Sequence, residues 1–301
     1  MDSNVHKPVL LKEVLETLDP QPGKIYVDAT ANGGGHLAAI LEKIGQEGKI
    51  LGIDWDCDLI AHLKEKYAAE KRVMFVCDNF ANIKAIMDAK GLQQADGIFA
   101  DVGFSSYHIE QSGRGFSFLK DEPLDMRYHA QSGCLSAEGI VNTWSEGELE
   151  RIIREYGEER FAKKIATAIA GARRQKKILT TSELARIISM AVPSWYQRGR
   201  IHPATRTFQA LRIAVNGELD NLTVFLEMAI GLLKNNGILA VITFHSLEDR
   251  IVKNFFKTKE KEGLLALLAK KPITASREET KINPRARSAK LRTVKITPLS
   301  I

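Results

Sequence analysis

Four short apolar runs, at residues 25–29, 50–54, 73–77 and 97–101, are separated by stretches whose apolar positions recur at helical spacing. Such runs suit strands buried on both faces, so this third of the chain predicts a parallel sheet covered by helices. The next convincing strand, residues 238–244, begins 137 residues after Asp101, whereas a whole βαβ unit needs about 30. Something is therefore inserted between the fourth strand and the fifth.

The insertion reads as helical. Ser145-x-x-Glu148 and Thr180-x-x-Glu183 have capping-box form ahead of periodic apolar stretches such as Leu184, Ile187, Ile188 and Ala191. The lead-in, 105–127, reads as a long ordered loop, and loops of that length are usually functional. From about Thr205, the positions Phe208, Leu211, Ile213 and Val215 predict a helix that returns to the sheet, and 219–233 continue as a second amphipathic helix. After strand five, Ser246-x-x-Asp249 is expected to cap a helix through Phe256. Residues 270–289 are polar without periodicity, and 291–297 alternate like a closing strand. The expected organisation is an α/β domain made of 1–105 and 207–301, interrupted by a helical domain at 106–206.

At 301 residues and 44% hydrophobic content, the chain can bury one large α/β core and a smaller satellite. Its longest apolar run, 237–244, is far below the ~20 residues that a bilayer requires. Residues 1–20 lack an apolar secretory core, so a cytoplasmic location is expected. The three cysteines, Cys57, Cys77 and Cys134, form no C-x-x-C pair. Their odd number argues against a disulfide framework and a structural zinc site, and they read as small apolar fillers. Charge changes the picture more. Residues 151–206 hold 13 Lys or Arg against 4 Asp or Glu, which leaves the rest of the chain slightly acidic. A basic segment on a near-neutral body suggests a polyanionic partner there, the alternative being a solvated helical face.

The candidate chemistry gathers at the ends of the strands. Asp28-Ala29-Thr30-Ala31-Asn32-Gly33-Gly34-Gly35-His36 runs from a strand through a glycine turn into a helix, and Asp54 ends the next strand. Such a turn lets backbone N–H groups approach a ligand closely, while the second acid can hold ribose hydroxyls. Gly33-x-Gly35-x-x-Ala38 also fits the degenerate dinucleotide pattern, and a tight turn with no ligand is the plain alternative. Asp28, a carboxylate before the turn, favours the cationic S-adenosylmethionine over NAD.

Strand ends should deliver Asp28, Asp54, Phe80, Asp101 and His245 to one rim. Asp101, followed by Val102-Gly103-Phe104-Ser105-Ser106, stands where amino-group methyltransferases act. It could accept the N–H of an exocyclic amine or hold the cofactor's sulfonium end. No cluster of His, Cys and Asp has metal-ligand spacing, and no metal is expected. Arg114-Gly115-Phe116-Ser117-Phe118 and Pro123-Leu124-Asp125-Met126-Arg127 interleave aromatics and arginines, as a site for an unpaired base would, or as a loop anchored by its phenylalanines would. The segments 201–209 and 283–290 are further candidates for RNA phosphates. His202 reads more simply as a helix-terminus or core residue.

Read together, His6-Lys7-Pro8-Val9-Leu10-Leu11, Gly34-Gly35-His36, Asp101 to Ser106, Arg114 to Phe118, Pro123 to Arg127, His202 to Arg212, Phe244 to Arg250 and Asn283 to Arg292 resemble, in order and wording, the bacterial 16S rRNA (cytosine-N4) methyltransferases, the RsmH or MraW family. The resemblance runs from about His6 to Thr297. It implies a Rossmann-like class I methyltransferase sheet with an inserted helical substrate-recognition domain. It also implies transfer of a methyl group from S-adenosylmethionine to the N4 amine of a cytidine in the ribosomal decoding centre. The expected partner is small-subunit rRNA within an assembled or nearly assembled 30S subunit. Cofactor contacts then fall on Gly34, Gly35, His36, Asp54, Phe80, Asp101 and position 108. The basic segments read above supply the candidate RNA contacts Arg127, Arg206, Arg285 and Arg287.

This chain departs from the family at His108, where Gln is usual, and at Trp55, Glu122 and His129. An imidazole at position 108 keeps one donor and one acceptor and adds a pH sensitivity that an amide lacks. The rival readings are a non-catalytic RNA-binding assembly factor, a DNA amino-methyltransferase and an NAD oxidoreductase. The absence of a Pro-Pro-aromatic tetrapeptide after Asp101 disfavours the second.

Overall fold

The computed structural model describes residues 8–103, 105–129 and 135–298, so His6, Lys7, Phe104 and Cys134 lie outside the described residues. The chain divides into two units, one being Ser105–Glu218 and the other formed by the segments on either side of it.

In the discontinuous unit the apolar runs form strands β1 (Ile25–Asp28), β2 (Lys49–Asp54), β3 (Val73–Cys77), β4 (Ala95–Asp101) and β5 (Leu233–Thr243). Three shorter or later strands follow, β6 (Leu265–Leu267), β7 (Ile273–Thr274) and β8 (Lys290–Ile296). The sheet order is β3-β2-β1-β4-β5-β8-β6, with β7 paired to β8 off that path. β1 to β5 are mutually parallel, and β8 returns antiparallel to β5. Strand order reverses at β1 and β4, the position at which open parallel sheets bind ligands.

Successive side chains of a strand point to opposite faces, and both faces are filled. Leu51, Ile53, Ile98, Ala100, Leu239 and Val241 join one core, with Phe225 and Phe256 from helices Glu218–Leu232 and Ser246–Lys261. Ile50, Phe99, Ala240 and Ile242 join the other, with Leu37, Ile40 and Ile60 from helices Gly35–Lys43 and Cys57–Lys66. A sheet covered on both sides needs unbroken apolar strands, which is why the runs do not alternate with polar residues.

The second unit is helical. Helices Ala137–Thr143, Glu146–Glu155, Ala162–Arg173, Thr181–Ala191 and Ala204–Asn216 enclose a core that includes Ile152, Ile165, Leu184, Ile188, Phe208 and Leu211. The expected return to the sheet after residue 206 is corrected by this packing. Phe208 and Leu211 face the helical core, so the helix from Ala204 belongs to the second unit, which ends at Glu218. Ser145 and Glu148 form the full reciprocal cap. At Thr180 only half of it forms, because Glu183 turns to the Leu179 N–H and to Lys176.

Two other expectations are corrected. The helix after β5 is capped by His245 with Glu248, one position earlier than Ser246 with Asp249. Cys57 and Cys77 are not buried fillers but a disulfide, Cα atoms 5.1 Å apart. The cause is topological: β2 and β3 are parallel neighbours, so residues just past or at their ends meet although 20 positions separate them. No short motif reports such a pairing. Constraining a loop of this length in the unfolded chain is worth about 3 kcal/mol. Reductant is therefore expected to lower the melting temperature of the native protein and to leave a Cys57→Ser, Cys77→Ser double variant unmoved. Equal behaviour of the two proteins would remove the stabilising role of the bond.

Candidate active site

Four adjacent strands deliver the site of the discontinuous unit. β1 ends in Asp28 and passes into the turn 29–34, which is held open between its two neighbours: the Ala29 N–H donates to the Phe99 carbonyl at 2.8 Å and the Ala31 N–H to the Ile53 carbonyl at 2.7 Å. Asn32 and Gly34 adopt φ of 45° and 76°. A Cβ on Gly34 would also stand 2.8 Å from the Leu63 side chain, so the sharp entry into helix Gly35–Lys43 depends on glycine there.

Asp54, at the end of β2, fastens this turn. Its Oδ2 accepts the Asn32 N–H at 2.7 Å and its Oδ1 the Asp56 N–H at 2.9 Å. One carboxylate thus fixes both the glycine turn and the start of helix Cys57–Lys66, itself capped by Asp56. Past β3, Asn79 caps a short 3-10 turn that begins with Phe80, whose ring meets Phe225 edge-on at 5.2 Å. Asp101 ends β4. Its N–H donates to the Thr30 hydroxyl at 2.6 Å, and its Oδ1 accepts the Gly103 N–H at 3.1 Å. Phe244 packs so tightly on Gly103 that a Cβ there would lie 2.4 Å from its ring.

Two of these acids are shifted toward the neutral form by burial. Burial pushes the Asp28 carboxyl up to about 8, aided by the nearby charges of Asp101 and Asp54 and opposed by the N–H groups of Thr30 and Leu37. Burial pushes Asp101 up to about 7, opposed by the Gly103 N–H and reinforced by Glu248. The attraction for a cation assigned to Asp28 therefore does not act as the residue stands: its carboxyl is buried and its visible work is to fold the turn. The rim as a whole is an acidic cluster that a neighbouring cation would ionise.

A stability consequence follows from Asp28. Its folded-state value lies above the ordinary value of 3.8, so the folded protein holds a proton that the unfolded chain loses. Stability contributed by this group is therefore lost as pH rises from about 4 to about 8. Asp28→Asn is expected to flatten that slope and to raise stability at pH 8 by an amount on the order of 2–4 kcal/mol. Urea unfolding at pH 5.5, 7 and 8.5 checks this, and equal slopes in the two proteins would contradict it.

The remaining site residues separate clearly. Gly34, Gly35, His36, Asp54, Phe80 and Asp101 all belong to the sheet unit. The His36 side chain is buried, its Nε2 lying 2.9 Å from the Val9 carbonyl and its ring 4.5 Å from Phe99, so it ties the first described segment to the sheet. His108 belongs to the helical unit, where its Nδ1 accepts the Ser105 N–H at 3.1 Å and its ring packs 5.0 Å from both Phe116 and Tyr128. There it caps helix Ser106–Glu110 and fills space.

The aromatics and arginines of the Arg114 to Arg127 loop make anchoring contacts within the helical unit. Phe116 stacks on Tyr128 at 5.3 Å, and Phe118 packs on His202 and Phe208. Arg114 donates to the carbonyls of Arg127 and Tyr128, and Arg127 forms a forked ion pair with Asp125 at 2.7 and 2.8 Å. Arg206 donates to the Glu158 carbonyl at 2.8 Å, so it too has a structural engagement. Arg285 is half-buried and Arg287 exposed, both in the 3-10 turn Pro284–Ser288 of the sheet unit.

Sequence reasoning missed Thr30, whose hydroxyl joins β1 to β4, and Glu248. The Glu248 carboxylate is buried and accepts the N–H groups of Phe244 and His245 at 2.8 and 3.2 Å. The Nδ1 of His245 accepts the Glu248 N–H at 3.4 Å, and its Nε2 stands 2.8 Å from the Glu248 carboxylate but out of line for a hydrogen bond. The signal was present as a reciprocal cap, read one residue too late.

A parallel sheet in the order β3-β2-β1-β4-β5 with an antiparallel closing strand beyond it, a glycine turn after β1 and acids ending β1, β2 and β4 define a Rossmann-like methyltransferase. Comparison with curated proteins and family models gives the family. The chain belongs to the MraW methylase family, whose model matches residues 3–297. It is 44% identical over 302 residues to the ribosomal RNA small subunit methyltransferase H of Clostridium botulinum (strain 657 / Type Ba4), covering 95% of this chain and 97% of the relative. The protein of the same name from Heliobacterium mobile is 44% identical over 306 residues, with the same coverage of both chains. Among solved structures, an rRNA methylase from Streptococcus thermophilus is 10% identical with a TM-score of 0.41, covering 95% of this chain and 93% of that one.

Proposed function

We propose that this protein transfers a methyl group from S-adenosylmethionine to the exocyclic N4 amine of a cytidine in small-subunit rRNA, at the decoding centre, within an assembled or nearly assembled 30S subunit in the cytoplasm. The observation that carries this reading is Asp101: a buried carboxyl raised to about 7, ending β4 and accepting the N–H of Gly103, over which the Phe244 ring packs. The names and near-full coverage of the relatives support the RNA substrate.

The residues fit the cofactor on the structure's own terms. Asp28 and Asp101 form a buried acidic rim whose ionisation a cation would favour, and Gly34 brings the backbone turn beneath Asp54. Bound there, S-adenosylmethionine supplies an electrophilic methyl group on a sulfonium.

The chain's own residues then have defined work. Asp54 is placed to accept from ribose hydroxyls while keeping the glycine turn in position. Phe80 supplies an apolar surface at the end of β3 for the adenine. The exocyclic amine of cytosine has its lone pair delocalised into the ring, so a carboxylate that grips its N–H would orient the nitrogen. It would also stabilise the positive charge that builds on the nitrogen as the N–C bond forms and the methyl–sulfur bond breaks to leave a neutral thioether, and accept the proton the nitrogen then loses. Asp101 has that role, and positioning with electrostatics supplies most of the rate. The helical unit presents Trp195, 60% exposed, with the Arg160 guanidinium 4.6 Å over its ring, a surface suited to unpaired bases and phosphates.

The test is transfer of labelled methyl from S-adenosylmethionine to small-subunit particles lacking the mark, with competing duplex DNA. Label in the small-subunit RNA that survives the DNA supports the reading. Unlabelled particles under conditions in which a curated relative labels them would end it.

A further inference from the structure

A depression of about 250 Å³ opens beside the end of β5, lined by none of the residues assigned above to the cofactor. Its walls come from three places. Phe244 and Ser246 flank His245 at the start of helix Ser246–Lys261, Thr274 ends β7, and Arg287, Ser288 and Lys290 come from the 3-10 turn and the first residue of β8. The register makes the hollow: Lys290 pairs with Thr243 on one side and Thr274 on the other, so the three segments end around one point.

Its chemistry is specific. None of the lining residues is acidic. The Lys290 ammonium is engaged by Asp249 at 3.0 Å, which also holds Arg292 at 2.7 Å. The Arg287 guanidinium is exposed and has no ion pair among the described residues. The wall therefore offers one uncommitted guanidinium, the hydroxyls of Thr274 and Ser288, and the ring of Phe244. An unpaired guanidinium wants a phosphate, small hydroxyls want sugar or phosphate oxygens, and an aromatic wall wants a flat ring. The volume suits a single nucleotide unit and nothing as broad as a duplex. Phe244 closes the link to the reaction, since the same ring presses on Gly103, two residues beyond Asp101.

We propose that this depression is a nucleotide subsite that receives the residue flanking the target cytidine, its phosphate on Arg287 and its base against Phe244. The proposal rests on the RNA methyltransferase reading above. Its purpose is to hold the strand on one side of the extruded base, so that the amine is presented to Asp101 while the subsite itself touches none of the reacting atoms. Arg287 is thus a positioning residue.

The test is steady-state methylation of unmethylated small-subunit particles by full-length wild type, Arg287→Glu and Arg287→Lys, with S-adenosylhomocysteine affinity measured by calorimetry on each. The subsite predicts that Arg287→Glu raises KM for particles at least tenfold, changes kcat less than threefold and leaves S-adenosylhomocysteine affinity and melting temperature unaltered. Arg287→Lys recovers most of the loss. A 5-bromouridine-substituted RNA spanning the target should also cross-link to Phe244 in wild type. An unchanged KM in Arg287→Glu, or a loss confined to kcat, overturns the subsite while leaving the methyltransferase reading intact. No transfer by wild type overturns that reading and the subsite with it.

Discussion

Asp101→Asn is expected to lower the rate of methyl transfer at least 100-fold while the protein folds and still binds S-adenosylhomocysteine. An amide keeps the shape of the carboxyl and can still accept the Gly103 N–H, so the loop after β4 should survive. What it lacks is the negative charge that stabilises the amine as its nitrogen becomes cationic, and removing one such group costs on the order of 10²–10³ in rate. The pH dependence carries the same information. Only the ionised carboxylate carries the charge that stabilises the amine as it becomes cationic, so the wild-type rate should fall tenfold per unit on the acid side of a midpoint at or below about 7. The midpoint can lie lower in the complex because a bound cation favours the ionised form. Rates across pH 5 to 9 check this, and an Asn variant that keeps both the rate and the acid limb would remove Asp101 from the chemistry.

Asp54→Ala should act on binding instead. Its two oxygens accept the N–H groups of Asn32 and Asp56, so truncation frees the glycine turn and the following helix start together. Charge-assisted hydrogen bonds to such groups are each worth roughly 1–3 kcal/mol. The dissociation constant for S-adenosylhomocysteine should therefore rise about 10- to 100-fold, with kcat at saturation much less affected. Calorimetry decides it, and an unchanged constant would place the ribose elsewhere. Comparing the two variants separates the roles of neighbouring strand ends: β4 governs the rate and β2 governs occupancy.

How much of this was legible in the sequence differs by feature. The five parallel strands were visible because a sheet covered on both faces demands uninterrupted apolar runs, and those of β1 to β4 stand alone between polar stretches. Asp54 and Asp101 were visible because strand ends of such a sheet converge on one rim. The second unit's last helix was misassigned because an amphipathic pattern shows that a face is buried without showing against what. Phe208 and Leu211 would satisfy either core.

The disulfide was invisible for a related reason. Pairing of Cys57 with Cys77 is set by strand adjacency, and nothing in a 20-residue separation reports it. Asp28 shows a different limit. Its position is plain in the sequence, but its charge state depends on burial and on two neighbouring acids that arrive from other strands. His108 shows that a residue expected to meet a ligand can also be a helix cap, a role its neighbour Ser105 announces only in hindsight.

The central claim is that the acceptor is an exocyclic amine held by Asp101. Mass spectrometry of nucleosides from small-subunit RNA, after incubation of unmethylated particles with the protein and deuterium-labelled S-adenosylmethionine, tests it most directly. The account predicts the label in N4-methylcytidine, lost with Asp101→Asn. Label found instead in 5-methylcytidine or in a 2′-O-methyl ribose would contradict it.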